Sequence, residues 1–122
     1  MIDLLIVEDE ALLADLLAEA AKLNGFNVQT ARDGESALGI LEALPQPPYF
    51  VLADVKMQPM DGLDFLRRLR AHPDWGKIYV ISTSGTPDDE EAALAAGANY
   101  YLSKPFPIEE FITEMKKQNT EK

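Results

Sequence analysis

Three acids, a hydroxyl and a lysine stand out because each follows directly on a short apolar run. Leu4-Leu5-Ile6-Val7 ends in Glu8-Asp9, and Tyr49-Phe50-Val51-Leu52-Ala53 ends in Asp54. Ile78-Tyr79-Val80-Ile81 runs into Ser82, and Tyr100-Tyr101-Leu102-Ser103 runs into Lys104. Core packing does not call for three carboxylates at strand ends, where like charges a few ångströms apart repel. A hard divalent cation relieves that repulsion: carboxylates and water suit octahedral Mg2+, which takes few protein ligands and leaves positions for substrate oxygens. A metal, an ammonium and a hydroxyl around one carboxylate are the parts needed for phosphoryl transfer to that carboxylate, where positioning and charge stabilisation do most of the catalysis. The same residues admit plainer roles: Asp54 as a turn cap, Glu8 or Asp9 as acids at the positive end of a helix, Lys104 as a surface lysine, Tyr101 as an ordinary edge residue.

Residues so far apart in sequence need elements that bring them to one place. An apolar run without a polar side chain reads as a strand covered on both faces, the kind found in parallel sheets between helices. In such sheets ligands bind at the carboxyl edge of the strands, where Asp54 falls. Between the runs the spacing turns helical. From Glu10 onward Leu12, Leu13, Leu16, Leu17, Ala20 and Leu23 share one side, opposite Asp15, Glu19 and Lys22, and Asn24-Gly25 stops the helix. Phe26 to Thr30 alternates apolar with polar, as an exposed edge strand does. Asp33-Gly34 opens a second helix reaching Leu44, which Pro45-Gln46-Pro47-Pro48 ends. A third helix is predicted from Gly62 to Ala71, with Leu63, Leu66 and Leu69 inward and Arg67, Arg68 and Arg70 as a solvated basic face. Pro87 begins a fourth, with Asp88 to Glu91 in its first turns and Gly97 past its end, and a last helix runs from Ile108 to Lys117. Met57 and Met60 read as packing, and His72 as part of a surface loop. Five strands alternating with five helices, joined by right-handed crossovers, give a three-layer α/β domain around a parallel sheet.

A chain of 122 residues, 47% hydrophobic and 26% charged, is sized for one domain, residues 1–122. It has no cysteine, which excludes a disulfide framework and a thiolate centre. With 21 acidic and 11 basic residues the net charge is -10, which sets the surface against nucleic acid and anionic membranes. The apolar runs are strand-sized and no basic segment with a long apolar core opens the chain, so a cytoplasmic location is expected.

Glu8-Asp9, the stretch VLADVKMQPMDG around Asp54, Ser82, and YYLSKPF around Lys104 occur in an order and spacing that resembles the receiver domain of bacterial two-component response regulators, of the chemotaxis-regulator type. The resemblance covers nearly the whole chain. It implies a flavodoxin-like (βα)5 fold with strand order 2-1-3-4-5. It also implies that Asp54 accepts a phosphoryl group from a sensor histidine kinase or a phosphotransfer protein in an Mg2+-dependent reaction. By position, Asp9, Asp54 and the Lys56 backbone carbonyl would ligate the ion, with Glu8 acting directly or through water. Lys104 would pair with the phosphoryl oxygens, Ser82 would hydrogen-bond one of them, and Tyr101 would be the aromatic switch. A cis Lys104-Pro105 peptide and a downstream protein partner on the face of the fourth helix, fifth strand and last helix follow from the same resemblance. Such a domain is not a conventional enzyme, although it catalyses its own phosphorylation and dephosphorylation. The chain departs from the pattern at Gln58, where the family has proline and Pro59 comes one step later, at Lys56, and at Thr83 in place of Ala or Gly.

Three other functions compete. A phosphatase of the haloacid-dehalogenase type also forms an aspartyl phosphate, but needs a second Asp two residues on as acid/base, where Lys56 stands. A flavin-binding electron carrier needs anion-binding amides where Glu8-Asp9 would repel phosphate. A pseudo-receiver, an interaction module never phosphorylated, has no need of the intact acids, Ser82 and Lys104.

Overall fold

A strand presents alternate side chains to opposite faces, so an unbroken apolar run can be buried on both. The computed structural model describes residues 1–57 and 60–120, and it buries the runs in this way. The elements are β1 (Leu4–Val7), α1 (Ala11–Leu23), β2 (Val28–Ala31), α2 (Gly34–Ala43), β3 (Phe50–Asp54), α3 (Gly62–Ala71), β4 (Tyr79–Ser84), α4 (Asp89–Ala96), β5 (Tyr100–Ser103) and α5 (Ile108–Thr120). All strand pairs are parallel, in the order β2-β1-β3-β4-β5. This is the flavodoxin-like arrangement, with the alternating strand β2 at an edge as its pattern predicts. Register sets Val7 beside Ala53, Asp54 beside Thr83 and Ser84 beside Ser103, so the carboxyl ends of β1, β3, β4 and β5 form one rim.

On one face of the sheet Leu5, Val7, Val51, Ala53 and Val80 meet Leu41 of α2, Phe65 and Leu69 of α3 and Ala93 of α4. On the other, Leu4, Ile6, Phe50, Leu52 and Ile81 meet Leu17 and Ala21 of α1 and Phe111 and Met115 of α5. Phe50 anchors the second layer through edge-on contacts with Phe26 and Tyr79, ring centres 6.1 and 6.0 Å apart. Met57 is buried in the first layer, as expected of a packing residue.

Several boundaries differ from the sequence pattern for physical reasons. β4 continues through Ser82, Thr83 and Ser84, because β3 on one side and β5 on the other keep offering ladder partners. α4 begins at Asp89 instead of Pro87; the preceding residues make tighter turns, with the Asp89 and Glu90 N–H groups donating to the Thr86 and Pro87 carbonyls. α1 buries Ala14, Leu17, Ala18 and Ala21, whose small side chains let the helix approach the sheet, while Leu12, Leu16 and Leu23 face outward. Arg70 is not a solvated residue of α3. Its guanidinium donates to the carbonyls of Gly97, Trp75 and Gly76 and to Asn99 Oδ1, tying the end of α4 to the start of β4. Gly97, at φ +120°, takes the left-handed turn after α4, and a Cβ there would strike Arg70 Cγ at 2.7 Å. No described helix is long and apolar enough to cross a membrane.

Candidate functional site

Each acid of the rim is placed by the strand that ends at it. Glu8 follows β1, and its Oε2 accepts the Glu10 N–H at 3.1 Å, which turns the chain into α1. Asp54 closes β3, and its Oδ1 accepts the Lys56 N–H at 3.2 Å. Gly62 packs against the backbone just beyond: its N–H donates to the Val55 carbonyl at 2.8 Å, and a Cβ would lie 2.1 Å from the Asp54 carbonyl oxygen. Asp61, beside it, caps α3 by accepting the Leu63 and Asp64 N–H groups. Lys104 directly follows β5 and is joined to Pro105 by a cis peptide, and its Nζ donates to Glu8 Oε1 at 2.9 Å and Asp54 Oδ2 at 3.0 Å.

Glu8, Asp9 and Asp54 each bring a carboxylate oxygen within 4.8 Å of the others. Glu8 and Asp54 are buried, with 4% and 6% exposure, and Asp9 opens to solvent. Burial raises the pKa of Glu8 against the lowering pull of Lys104, and the neighbouring Asp54 charge adds to the rise. Burial also works against the Lys104 ammonium, but its hydrogen bonds to Glu8 and Asp54 outweigh that and leave its pKa raised. One contact therefore stabilises the lysine's charge without fully compensating Glu8. A single ammonium against three carboxylates leaves net negative charge on hard oxygen donors, a set that fits a divalent cation such as Mg2+.

Ser82 and Thr83 are both buried on β4; Ser82 lies beside Ala53, and Thr83 is the one beside Asp54. The Lys56 ammonium pairs with α4, its Nζ 3.8 Å from Asp89 Oδ2. The half-buried Tyr101 donates its hydroxyl to the Thr86 carbonyl at 2.9 Å. Gln58 and Pro59, the departure in the loop after Asp54, lie outside the described residues. His72 ends α3, stacks on Trp75 at 3.7 Å between ring centres and comes within 3.4 Å of Glu42 Oε1, away from the rim. Sequence reasoning passed over Asp89, whose Oδ2 accepts Ser84 Oγ–H, and no periodicity marks it, since it sits in a run of four acids that reads as a helix start. An apolar depression of about 380 Å³ adjoins the rim, lined by Leu13, Leu17, Lys104, Pro105, Phe106 and Ile108. A wider one of about 680 Å³, between Pro47, Tyr49, Pro73 and Lys77, involves none of the rim residues.

A doubly wound sheet with acids at two adjacent strand ends and a lysine bridging to them from a third defines a class, flavodoxin-like domains with an acidic centre on the carboxyl edge. The family model of the response regulator receiver domain matches residues 4–116, and the chain belongs to that family. The "Probable transcriptional regulatory protein TcrX" of Mycobacterium tuberculosis is 36% identical over 94% of this chain and 48% of its own length. The chain thus spans about half the length of the curated relatives it matches. Among solved structures, a response regulator receiver protein from Pseudomonas putida is 28% identical, with TM-score 0.85 over 93% of this chain and 94% of that one. The receiver domain of a sensor histidine kinase from Pseudomonas aeruginosa, described with a magnesium ion coordinated in the active site cleft, is 26% identical with TM-score 0.83 over 93% of each chain.

Proposed function

We propose that this domain is a phosphoacceptor of a two-component phosphorelay, in which Asp54 takes a phosphoryl group from a phosphohistidine of a sensor histidine kinase or phosphotransfer protein. The observation that carries the reading is the Lys104 ammonium bonded to both Asp54 and Glu8, with Asp9 alongside. In the transfer an Asp54 carboxylate oxygen attacks phosphorus, the P–N bond breaks with its electron pair left on the imidazole nitrogen, and a P–O bond forms. Hydrolysis by water returns the carboxylate and inorganic phosphate. Lys104 Nζ, already 3.0 Å from Asp54 Oδ2, offsets charge that builds on the phosphoryl oxygens. Glu8, Asp9, Asp54 and the Lys56 carbonyl would hold Mg2+, which when bound neutralises the acids and polarises the phosphoryl group. The magnesium in the Pseudomonas aeruginosa relative supports that assignment. Ser82 serves as the hydroxyl that meets a phosphoryl oxygen, and Tyr101 as the residue that reports it.

The apolar depression next to Lys104, lined by Leu13 and Leu17 of α1, suits the helical surface of a phosphodonor approaching the rim. The face of α4, β5 and α5, where Tyr101 lies, is the one that would turn toward a downstream protein. In a longer protein resembling the transcriptional regulators it matches, the domain would control an output segment. Its net charge of -10 argues against nucleic-acid contact by the domain itself. Incubation with Mg2+ and acetyl phosphate, followed by intact mass and peptide mapping, should find one phosphoryl group, on Asp54. A phosphoryl group retained by Asp54→Asn refutes the assignment, and an unmodified wild-type chain makes it a non-phosphorylated interaction module.

A further inference from the structure

A continuous set of polar contacts runs from the residue two past Asp54 to the hydroxyl of Tyr101. Lys56 Nζ lies 3.8 Å from Asp89 Oδ2. The same carboxylate oxygen accepts Ser84 Oγ–H at 2.5 Å, Ser84 Oγ accepts the Thr86 N–H at 3.1 Å, and the Thr86 carbonyl accepts Tyr101 O–H. Asp89 is the first residue of α4 and stands between Asp88 and Glu90, with Glu91 following. Lys56 sets a cation against this run of acids. Ser84 is fully buried and the Asp89 side chain only 16% exposed, whereas that of Lys56 is 66% exposed. The ion pair is therefore the contact most easily exchanged for another, since its cation is open to solvent. The buried hydroxyl and amide contacts behind it are the strong part.

We propose that Asp89 is the node of a charge-operated latch: a phosphoryl group on Asp54 draws the Lys56 ammonium away from Asp89, and the Ser84–Thr86–Tyr101 contacts release in turn. The inference rests on the reading of Asp54 as phosphoacceptor. Lys56 is suited to the exchange because its own N–H is bonded to Asp54 Oδ1, so its side chain starts beside the carboxylate. A phosphoryl group extends farther from the backbone than the carboxylate and presents strong acceptors to a nearby ammonium. Without Lys56, Asp89 keeps the repulsion of three neighbouring acids, opposed by the positive end of α4 and the Ser84 hydroxyl. The first turn of α4 then shifts, the Thr86 carbonyl moves with it, and the Tyr101 hydroxyl loses its acceptor. Both arrangements exist in one equilibrium, and the phosphoryl group acts by its preference for the one in which Lys56 is free. This input to Tyr101 runs through α4 and does not require movement of Ser82.

The test is NMR of the whole domain in Mg2+, with and without beryllofluoride as phosphoryl mimic, following the Tyr101 ring and the amides from Thr86 to Glu91. The mimic should shift all of them in the wild-type chain. Asp89→Ala without the mimic should move them most of the way to the same positions, and Asp89→Asn, which keeps a partner for Ser84, part of the way. Lys56→Gln should move them in the same direction, and because Lys56 is exposed this variant decides the matter should Asp89→Ala loosen α4 by itself. A wild-type response combined with unmoved Tyr101 and α4 signals in Lys56→Gln and Asp89→Ala overturns the latch alone. Silence of the wild-type chain toward the mimic overturns the phosphoacceptor reading, and the phosphoryl input to the latch with it.

Discussion

Glu8 and Lys104 share one contact and set opposite ends of the site's pH behaviour. Because the pKa of Glu8 is raised on folding, the native chain binds more protons than the unfolded one across that titration, and stability falls as pH rises through it. The raised pKa of Lys104 adds stability that is complete at neutral pH and is lost only as pH climbs through its alkaline titration. In chelator, the melting temperature of wild type relative to Glu8→Gln should therefore decline as pH rises from about 4, where an ordinary glutamate titrates, through the raised titration of Glu8. A difference that rises over that span would show that Glu8 is stabilised as an anion. Thr83 is buried beside Asp54, so its methyl joins the Lys56 side chain in limiting the approach of water to a phosphoryl group there. Thr83→Ala should dephosphorylate about fivefold faster, corresponding to roughly 1 kcal/mol off the barrier. Lys56→Ala should add to that effect in the double variant, and an unchanged rate in the double variant would remove both residues from the question. The acids and Lys104 were visible in sequence because each interrupts an apolar run. Asp89 was not, because a run of four acids reads only as a helix start, and its contacts with Ser84 and Lys56 appear only in the fold.

At the scale of elements, the loop from β3 to α3 fixes where the Asp54 carboxylate points. Gly62 lies so close to the Asp54 peptide that any side chain would force the two apart. Gly62→Ala should cost about 3 kcal/mol, in the range of severe overpacking, and should weaken Mg2+ binding because Asp54 moves with its backbone. Urea denaturation and an Mg2+ titration check the two effects, and an unchanged midpoint would mean that the loop yields without strain. Periodicity made all ten elements legible, because a strand buried on both faces and a helix with one apolar stripe leave different patterns. It misjudged α1, where alanines take the sheet contact and three leucines are left outside, since hydrophobicity alone does not say which apolar residues fit a close approach. It also missed Arg70, whose partners Gly97 and Asn99 lie 27 and 29 residues away. Only the crossover from α3 through β4 and α4 to β5 brings them together.

For the whole molecule, a net charge of -10 and a cluster of three acids both predict that cations stabilise the fold, for different reasons. Diffuse self-repulsion is relieved by any salt through screening, whereas the rim asks for a divalent ion at one place. Comparing MgCl2 with NaCl at matched ionic strength separates the two. A site filled by free Mg2+ at ten times its dissociation constant adds about 1.4 kcal/mol by linkage. For a domain of this size that raises the melting temperature by about 5 °C beyond the NaCl control. Asp9→Ala should retain the NaCl response and lose most of the Mg2+ increment. Without metal it should melt no lower than wild type, because the substitution removes a like charge from beside Glu8 and Asp54 while leaving the Lys104 bonds intact. A wild-type melting temperature that responds equally to Mg2+ and to matched NaCl would mean that the rim binds no metal, and that its acids act only through the general field of the protein.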